Sequence, residues 1–454
     1  MSAARAILDK AEASGLTVDL TVLEKETWLG GKIRSVRRDG FLCETGPNGF
    51  LDNKPATMAL ANRLGMGARL LKSDDKARKR YIFSGGKLNL LPEDPVSFIT
   101  SDLLSIRGRL RIAAEFLLPQ GPAGVDESVA AFVRRRLGQE ALDKLIDPMS
   151  AGVYAGDPNV MSLESSFPKV AMIERQFGGL LKGMMAMQSM AKARGQTAQM
   201  SAGPGGALWS FAEGADEIIK TLAAGLADLR SGVSAESLEK TPNGWTVRTD
   251  SGEVLSADAV ALCVPAYNGG KLLKELAPDA SDLMYNIPYV RTAVVCFGYD
   301  RASVSMPLDG FGFLIPTVEK RRILGALWSS SIFANRAPDG RVLFTLIVGG
   351  ARNPEFVSLG DDALGKMCRE EVLATMGISA EPVFESIVRW DRAIPQYVVG
   401  HGERVKRIEA AVSALGDLHL GGNAYYGIGI NDCTERAGVL GQKVVDGLKS
   451  RSVS

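Results

Sequence analysis

Leu16-Thr-Val-Asp-Leu-Thr-Val-Leu23, running into Glu24-Lys25-Glu26 and then Leu29-Gly30-Gly31-Lys32, decides how this chain is read. The first eight residues are apolar or β-branched at most positions, which suits a buried strand. Upstream, residues 2–14 carry Ala3, Ala4, Ile7 and Ala11 at helical spacing, and Gly15 stands where a helix would end. A helix feeding a buried parallel strand is the second half of a strand–helix–strand unit. In such units the acidic residue that ends the second strand accepts hydrogen bonds from ribose hydroxyls. Glycines just beyond it let backbone approach a pyrophosphate with no Cβ in the way. The same residues also make an ordinary solvated turn, so the stretch alone leaves both readings open.

Spacing sharpens the nucleotide reading. The acidic residue of the dinucleotide fingerprint follows its Gly-rich turn by about 20 positions. Counting back from Glu24 reaches Met1. The expectation is that a strand and a GxGxxG turn, roughly a dozen residues, belong ahead of Met1; a divergent N-terminus is the alternative. A chain beginning at Met1 would then expose two sheet edges, and is expected to fold poorly or bind dinucleotide poorly. One extended upstream to the previous in-frame start is expected to bind it better.

Further along, Glu44-Thr45-Gly46-Pro47-Asn48-Gly49 is a tight turn able to press main-chain groups against a flat ring, or a plain loop. Residues 126–200 read as mainly helical, clearest over 127–136 and 178–194. Residues 230–265 read as a β-meander, with Asp250-Ser-Gly252 as a hairpin turn and a buried strand over 259–264. Another buried strand spans 418–423. Gly421-Gly422-Asn423 and Gly427-Ile428-Gly429-Ile430-Asn431-Asp432 then lead into a helix over 432–448, with Asn431 or Asp432 as its cap. Such a helix start suits a phosphate or an electron-rich ring edge.

Composition narrows the chemistry. A chain of 454 residues implies two or three domains. Balanced charge, 53 basic against 52 acidic residues, gives no field that would draw the protein to nucleic acid. The five cysteines form no CxxC pair, so neither a zinc ribbon nor a disulfide framework is indicated. Two histidines leave no histidine-rich metal site, and no metal is expected. If the chain is an enzyme, its chemistry belongs to an organic cofactor. No apolar run is long enough for a membrane span, and the start reads as a helix rather than a secretory leader.

The Glu24, Gly46 and Gly427 stretches, in this order, resemble the flavin amine oxidase superfamily. Further stretches are similar to its oxygen-dependent protoporphyrinogen oxidase branch: Gly152-Val-Tyr-Ala-Gly156-Asp157, Gly310-Phe-Gly-Phe-Leu-Ile-Pro316, Trp328-Ser-Ser-Ser-Ile-Phe333-Ala-Asn-Arg336, Ile394-Pro-Gln-Tyr397 with Gly400-His401, and Asn431-Asp-Cys433. The resemblance implies an α/β fold: a doubly wound FAD-binding domain whose first strand precedes the chain, a mixed-sheet substrate domain, and a helical, membrane-facing domain. It divides the chain into FAD-binding parts at 1–78, 205–266 and 391–454, substrate-domain strands at 79–92 and 267–390, and the helical domain at 93–204. For the cofactor it implies Glu24 and Lys25 at the ribose, and Gly30, Gly31 and Lys32 along the dinucleotide. Gly46, Pro47, Asn48 and Gly49 fall beside the isoalloxazine, and Val233 meets the adenine through its backbone. Trp390, Asn423, Ile428, Gly429 and Ile430 complete the flavin site. For the substrate it implies Arg80 pairing a propionate, Gly152 leaving room for a macrocycle, and Phe297 and Phe333 as walls around the ring. Lys76-Ala-Arg-Lys-Arg80 also reads as a solvated basic run.

The activity so implied is six-electron oxidation of protoporphyrinogen IX to protoporphyrin IX, with hydride passing to FAD and O2 returning as H2O2. No side chain is needed as acid or base, so no catalytic residue is assigned. Coproporphyrinogen III is the alternative substrate; its four carboxylates call for extra cations, with Arg336 and Arg392 as candidates. Amine oxidase or carotenoid desaturase activity on the same fold fits the porphyrinogen-type stretches less well. A chain that binds no FAD and has no activity is the remaining alternative. The resemblance also implies a cytoplasmic protein, peripheral on the inner face of the plasma membrane through the Met-rich stretch 184–190, or else plain helix packing there, and a possible homodimer.

Overall fold

A computed structural model describes residues 1–92, 101–122, 124–193 and 206–452. The first helix, Ser2–Ala13, buries Ala4, Ile7 and Ala11, the last two packed against Leu440, Val444 and Val445 of the last helix, Ile430–Ser452. Gly15 takes a φ of 68°, and the Leu16 N–H turns back to the Ala11 carbonyl at 2.9 Å, which closes the helix end. The strand that follows is Thr21–Glu24, shorter than the expected 16–23. Its ladder runs only as far as its neighbour Asp228–Ser231, four residues paired in parallel. Leu16, Val18 and Leu20 pack instead on the first and last helices.

A second parallel pair joins Val260–Leu262 to Leu418–Leu420. Both strands are shorter than expected from sequence, while the last helix starts two residues earlier and runs longer. Among the described residues no strand bridges the two parallel pairs. Between them lies a cavity of about 2000 Å³, bordered by residues 20–24 on one side and 259–263 on the other. The expected meander is present as Ala235–Thr241, Gly244–Thr249 and Val254–Ala257, antiparallel throughout.

The largest sheet has seven strands in the spatial order Phe384–Pro395, Tyr289–Asp300, Arg341–Gly349, Ile323–Leu327, Gly312–Leu314, Arg80–Ser84 and Lys87–Leu90. All neighbours are antiparallel except Gly312–Leu314 with Arg80–Ser84, so the sheet is mixed. Period-two alternation sorts Tyr289–Asp300 into two faces. Val295, Phe297 and Tyr299 enter the main core, under Leu364, Met367, Cys368 and Val372 of the helix Asp361–Met376. Val294 and Cys296 face the other way, onto Phe41, Cys43 and the partly buried Trp390. That second face joins the large sheet to the N-terminal region.

Helices Ile106–Ala113, Val129–Arg136, Asp147–Tyr154, Pro168–Phe177 and Leu180–Ala193 form a separate helical layer. They cover the two expected amphipathic segments; residues 194–200 lie outside the described residues. Among the described residues no helix is long and apolar enough to cross a membrane.

Candidate functional site

The cavity between the parallel pairs collects residues from distant parts of the chain. Glu24, Lys25, Gly30, Gly31, Lys32, Val233 and Trp390 all line it. Glu24 ends its strand half-buried, and its carboxylate accepts the Glu26 N–H at 3.0 Å, which orients it. The Val233 N–H donates to the Glu24 carbonyl at 3.0 Å, so this donor holds the strand end. Gly30 and Gly31 both adopt positive φ, 91° and 60°. Burial lowers the Lys32 ammonium below its usual range, and nearby Lys25 adds to the effect.

The Gly46 turn meets this cavity at the Lys32 backbone. A Cβ on Gly46 would stand 2.0 Å from the Lys32 carbonyl oxygen, so no larger residue fits without moving main chain. Thr45, just before it, is clamped from two sides. Its N–H and hydroxyl donate to the Arg34 carbonyl at 2.9 and 3.0 Å, and the Trp390 indole N–H donates to its carbonyl at 2.6 Å. Lys32 also lies 6.0 Å from the Trp390 ring. Trp390 is remote in sequence and comes from the edge strand of the large sheet. A carboxylate, paired glycines, a half-buried cation and a fixed aromatic around one large cavity fit a dinucleotide with a flat ring.

Gly421 and Gly422 line the same cavity, whereas Gly46, Pro47, Asn48, Gly49, Asn423, Ile428, Gly429 and Ile430 do not. The Gly427 turn is tied back differently from the expected cap. Asp432 accepts the Gly429 N–H at 3.1 Å and pairs with Lys54, while the Asn431 amide donates to the Leu51 carbonyl at 2.7 Å. Asn431 and Asp432 lie within the helix, whose first residue is Ile430. Sequence reasoning missed Trp28, Tyr267 and Tyr425, which also line the cavity. Only Trp28 carried a local signal: it precedes Leu29-Gly30-Gly31, and its indole donates to the Gly31 carbonyl at 3.2 Å.

The substrate-side expectations fare differently. Arg80 opens its strand with its guanidinium 5.6 Å from the Phe311 ring. Gly152 lies on the surface of its helix, and what its missing side chain admits is Leu314: a Cβ would approach that residue to 2.8 Å. Phe297 is fully buried, because the strand register puts it on the face covered by the helix Asp361–Met376, away from Cys296 and Trp390. It is a core residue and not a wall of the cavity. Phe333 is likewise enclosed, packed with Ala77 and Ile332 under the Arg336 guanidinium at 5.0 Å. The structure therefore does not gather these four residues around one space. Arg336 is not a pocket cation either. It is 1% exposed, 3.4 Å from the Glu44 carboxylate, and donates to the Ser210 hydroxyl at 3.1 Å. Burial, opposed by their pairing, raises the Glu44 carboxyl and lowers the Arg336 guanidinium. Arg392 is exposed and stacks on Tyr267 at 4.2 Å.

Behind the Gly427 turn, His401 is 1% exposed. Burial pulls its pKa down to about 4, opposed by its bond to the Tyr425 carbonyl; Arg404 adds to the lowering and Asp126 opposes it. The folded chain thus holds His401 neutral where the unfolded chain is protonated. Stability from this residue is full above about pH 6.5 and is lost as the pH falls toward 4, on the order of 3 kcal/mol. Half-buried His419 shifts in the same direction. Melting temperatures measured from pH 7 to pH 4 should fall more steeply for the wild type than for His401→Gln. Equal slopes would remove His401 from the account.

A nucleotide-binding α/β half joined by a glycine turn to a mixed sheet is the build of a flavin-dependent oxidoreductase. The family described as flavin containing amine oxidoreductase matches residues 1–438, and the chain belongs to it. Among curated relatives, "Coproporphyrinogen III oxidase" of Bacillus subtilis (strain 168) is 30% identical over 437 residues, covering 93% of this chain and 90% of the relative. "Protoporphyrinogen oxidase, chloroplastic" of Nicotiana tabacum is 33% identical over 441 residues, covering 92% and 80%. A solved structure from Exiguobacterium sp. 255-15 superposes with a TM-score of 0.82 at 24% identity, covering 98% of this chain and 96% of that one, which shows the shared fold.

Proposed function

We propose that this chain binds FAD and oxidises a porphyrinogen, protoporphyrinogen IX, to the porphyrin, with O2 as electron acceptor and H2O2 as by-product. The observation that carries this reading is whole-chain similarity to two porphyrinogen oxidases, beside one cavity lined by Glu24, Gly30, Gly31, Lys32 and Trp390. FAD, when bound, supplies the hydride acceptor. The chain's own groups hold and orient. Glu24 would accept hydrogen bonds from the ribose hydroxyls, Gly30, Gly31 and Lys32 would follow the diphosphate, and the Gly46 turn, clamped by Trp390, would lie beside the flavin ring. Arg80 pairs with a propionate through its guanidinium fork.

Coproporphyrinogen III remains the second reading, favoured by the Bacillus subtilis relative. Against it stands Arg336, one of its two candidate extra cations, which is committed to Glu44. We also propose peripheral membrane contact, on the exposure of Ile106, Leu110 and Leu117, which are 69%, 65% and 81% exposed. Such residues on one layer suit an apolar surface.

The test is FAD titration of the purified chain, then porphyrin fluorescence and H2O2 from each porphyrinogen under air. Six-electron oxidation requires three H2O2 per porphyrin. Porphyrin formed at no more than the spontaneous rate, with flavin bound, would end this reading. Faster turnover of coproporphyrinogen would select the second.

A further inference from the structure

We propose that Tyr397 and His401 are positioning residues that hold the turn over residues 423–429 in register with the Gly46 turn, so that both ends of the chain present one flavin surface. This rests on the flavin reading above: the resemblance assigns Asn423, Ile428, Gly429 and Ile430 to the cofactor, and Gly421, Gly422, Tyr425 and Tyr426 of the same connection line the cavity.

Tyr397 is fully buried, and its hydroxyl bridges two points of the turn. It donates to the Asn423 carbonyl at 2.6 Å and accepts the Gly427 N–H at 2.8 Å. A phenol has one donor and acceptor capacity to spare, so one hydroxyl satisfies both main-chain groups. The Tyr397 ring stacks on His401, centroids 4.2 Å apart and 15° from parallel. His401 Nε2 lies 3.3 Å from the Tyr425 carbonyl, a third point of the turn. A neutral imidazole has one N–H; placing it on Nε2 makes that contact a hydrogen bond and leaves Nδ1, which has no partner among the described residues, as the acceptor.

The second half of the inference comes from the strand Phe384–Pro395. Trp390 within it fixes the Thr45 carbonyl, and Tyr397, just past its end, fixes the 423–429 turn. One edge strand of the large sheet therefore pins two glycine turns that lie far apart in sequence. A shift of either anchor would rotate one turn against the other.

The decisive measurement needs no flavin: amide hydrogen exchange at Gly427 in the chain as it stands. Tyr397→Phe leaves the Gly427 N–H and the Asn423 carbonyl without their partner. Exchange at Gly427 should then quicken about tenfold or more, with central-strand amides such as Val295 unchanged. Tyr154→Phe is the control. Tyr154 packs on the same ring at 6.0 Å, but its hydroxyl donates to the Ser166 carbonyl, so Gly427 should stay protected. His401→Gln, which can still donate toward Tyr425, should preserve protection better than His401→Leu. This pair decides the matter if Tyr397→Phe does not fold. In the flavin-loaded protein, Tyr397→Phe should shift the visible flavin bands and weaken FAD binding about tenfold, while Tyr154→Phe does neither. Unchanged Gly427 exchange in Tyr397→Phe, or equal loss in Tyr154→Phe, overturns the proposal. If the wild type takes up no FAD, the flavin role falls with the reading above, and exchange still decides whether Tyr397 holds the turn.

Discussion

Gly46→Ala is expected to weaken flavin binding about a hundredfold and to destabilise the fold by about 1–3 kcal/mol. The added methyl would sit 2.0 Å from the Lys32 carbonyl oxygen and 3.0 Å from its carbon. Relief by retreat is blocked on the turn's side. Thr45 is held by Arg34 and Trp390, and the Pro47 ring fixes that residue's own φ. Three residues on, Gly49 is just as tight, since a Cβ there would come 2.2 Å from the Trp209 carbonyl. Relief must therefore come from the Gly31–Lys32 backbone, which borders the cavity. Displacing it moves the groups proposed to follow the diphosphate, so the cofactor suffers more than the fold. Gly438→Ala supplies the comparison: nothing lies within 4 Å of a Cβ there, and a mid-helix glycine replaced by alanine gains about 0.8–1 kcal/mol. Fluorescence titration with FAD and thermal unfolding of both variants check this. A Gly46→Ala chain with wild-type FAD affinity would show that the turn does not shape the site.

That turn also marks the boundary of what the sequence could convey. Gly46-Pro47 could be read locally, because glycine and proline announce tight backbone wherever they stand. Its partner could not: Trp390 is 345 positions from Thr45, and no local pattern pairs them. The first helix was readable to within a residue, since Ala4, Ile7 and Ala11 carry their period in plain view. The strand after it was over-extended because 16–20 is apolar for a different reason, packing on two helices rather than pairing in a sheet. Phe297 illustrates a face ambiguity. Its strand buries nearly every residue, so alternation gives no clue to which side meets the cavity. Arg336 could equally be a ligand cation or a buried ion-pair partner, and only the position of Glu44 decides.

Replacing Arg136 with Met should cost about 3–5 kcal/mol. Arg136 and Glu115 are both fully buried. The guanidinium reaches Glu115 through Nε at 2.7 Å and through Nη2, and donates to the carbonyls of Pro119 at 2.8 Å and Gly178 at 3.3 Å. Glu115 in turn accepts the N–H groups of Leu180 and Leu181, the first turn of the helix Leu180–Ala193. Methionine fills similar volume but leaves a buried carboxylate without its counter-charge and carbonyls without donors. Much of the penalty is thus the stranded charge and not the lost pair. Neutralising it should recover a large part: Arg136→Met with Glu115→Gln keeps an acceptor for Leu180 and ought to be more stable than Arg136→Met alone. Urea unfolding of the single and double variants, with hydrogen exchange followed at the 180–193 amides, separates the two contributions. A single variant within about 1 kcal/mol of wild type would mean that water reaches Glu115 and that the node is not closed. Met185 and Met190 are exposed on that same helix, so the lipid contact proposed above would loosen with it, while the Gly46 turn, held by separate contacts, stays in place.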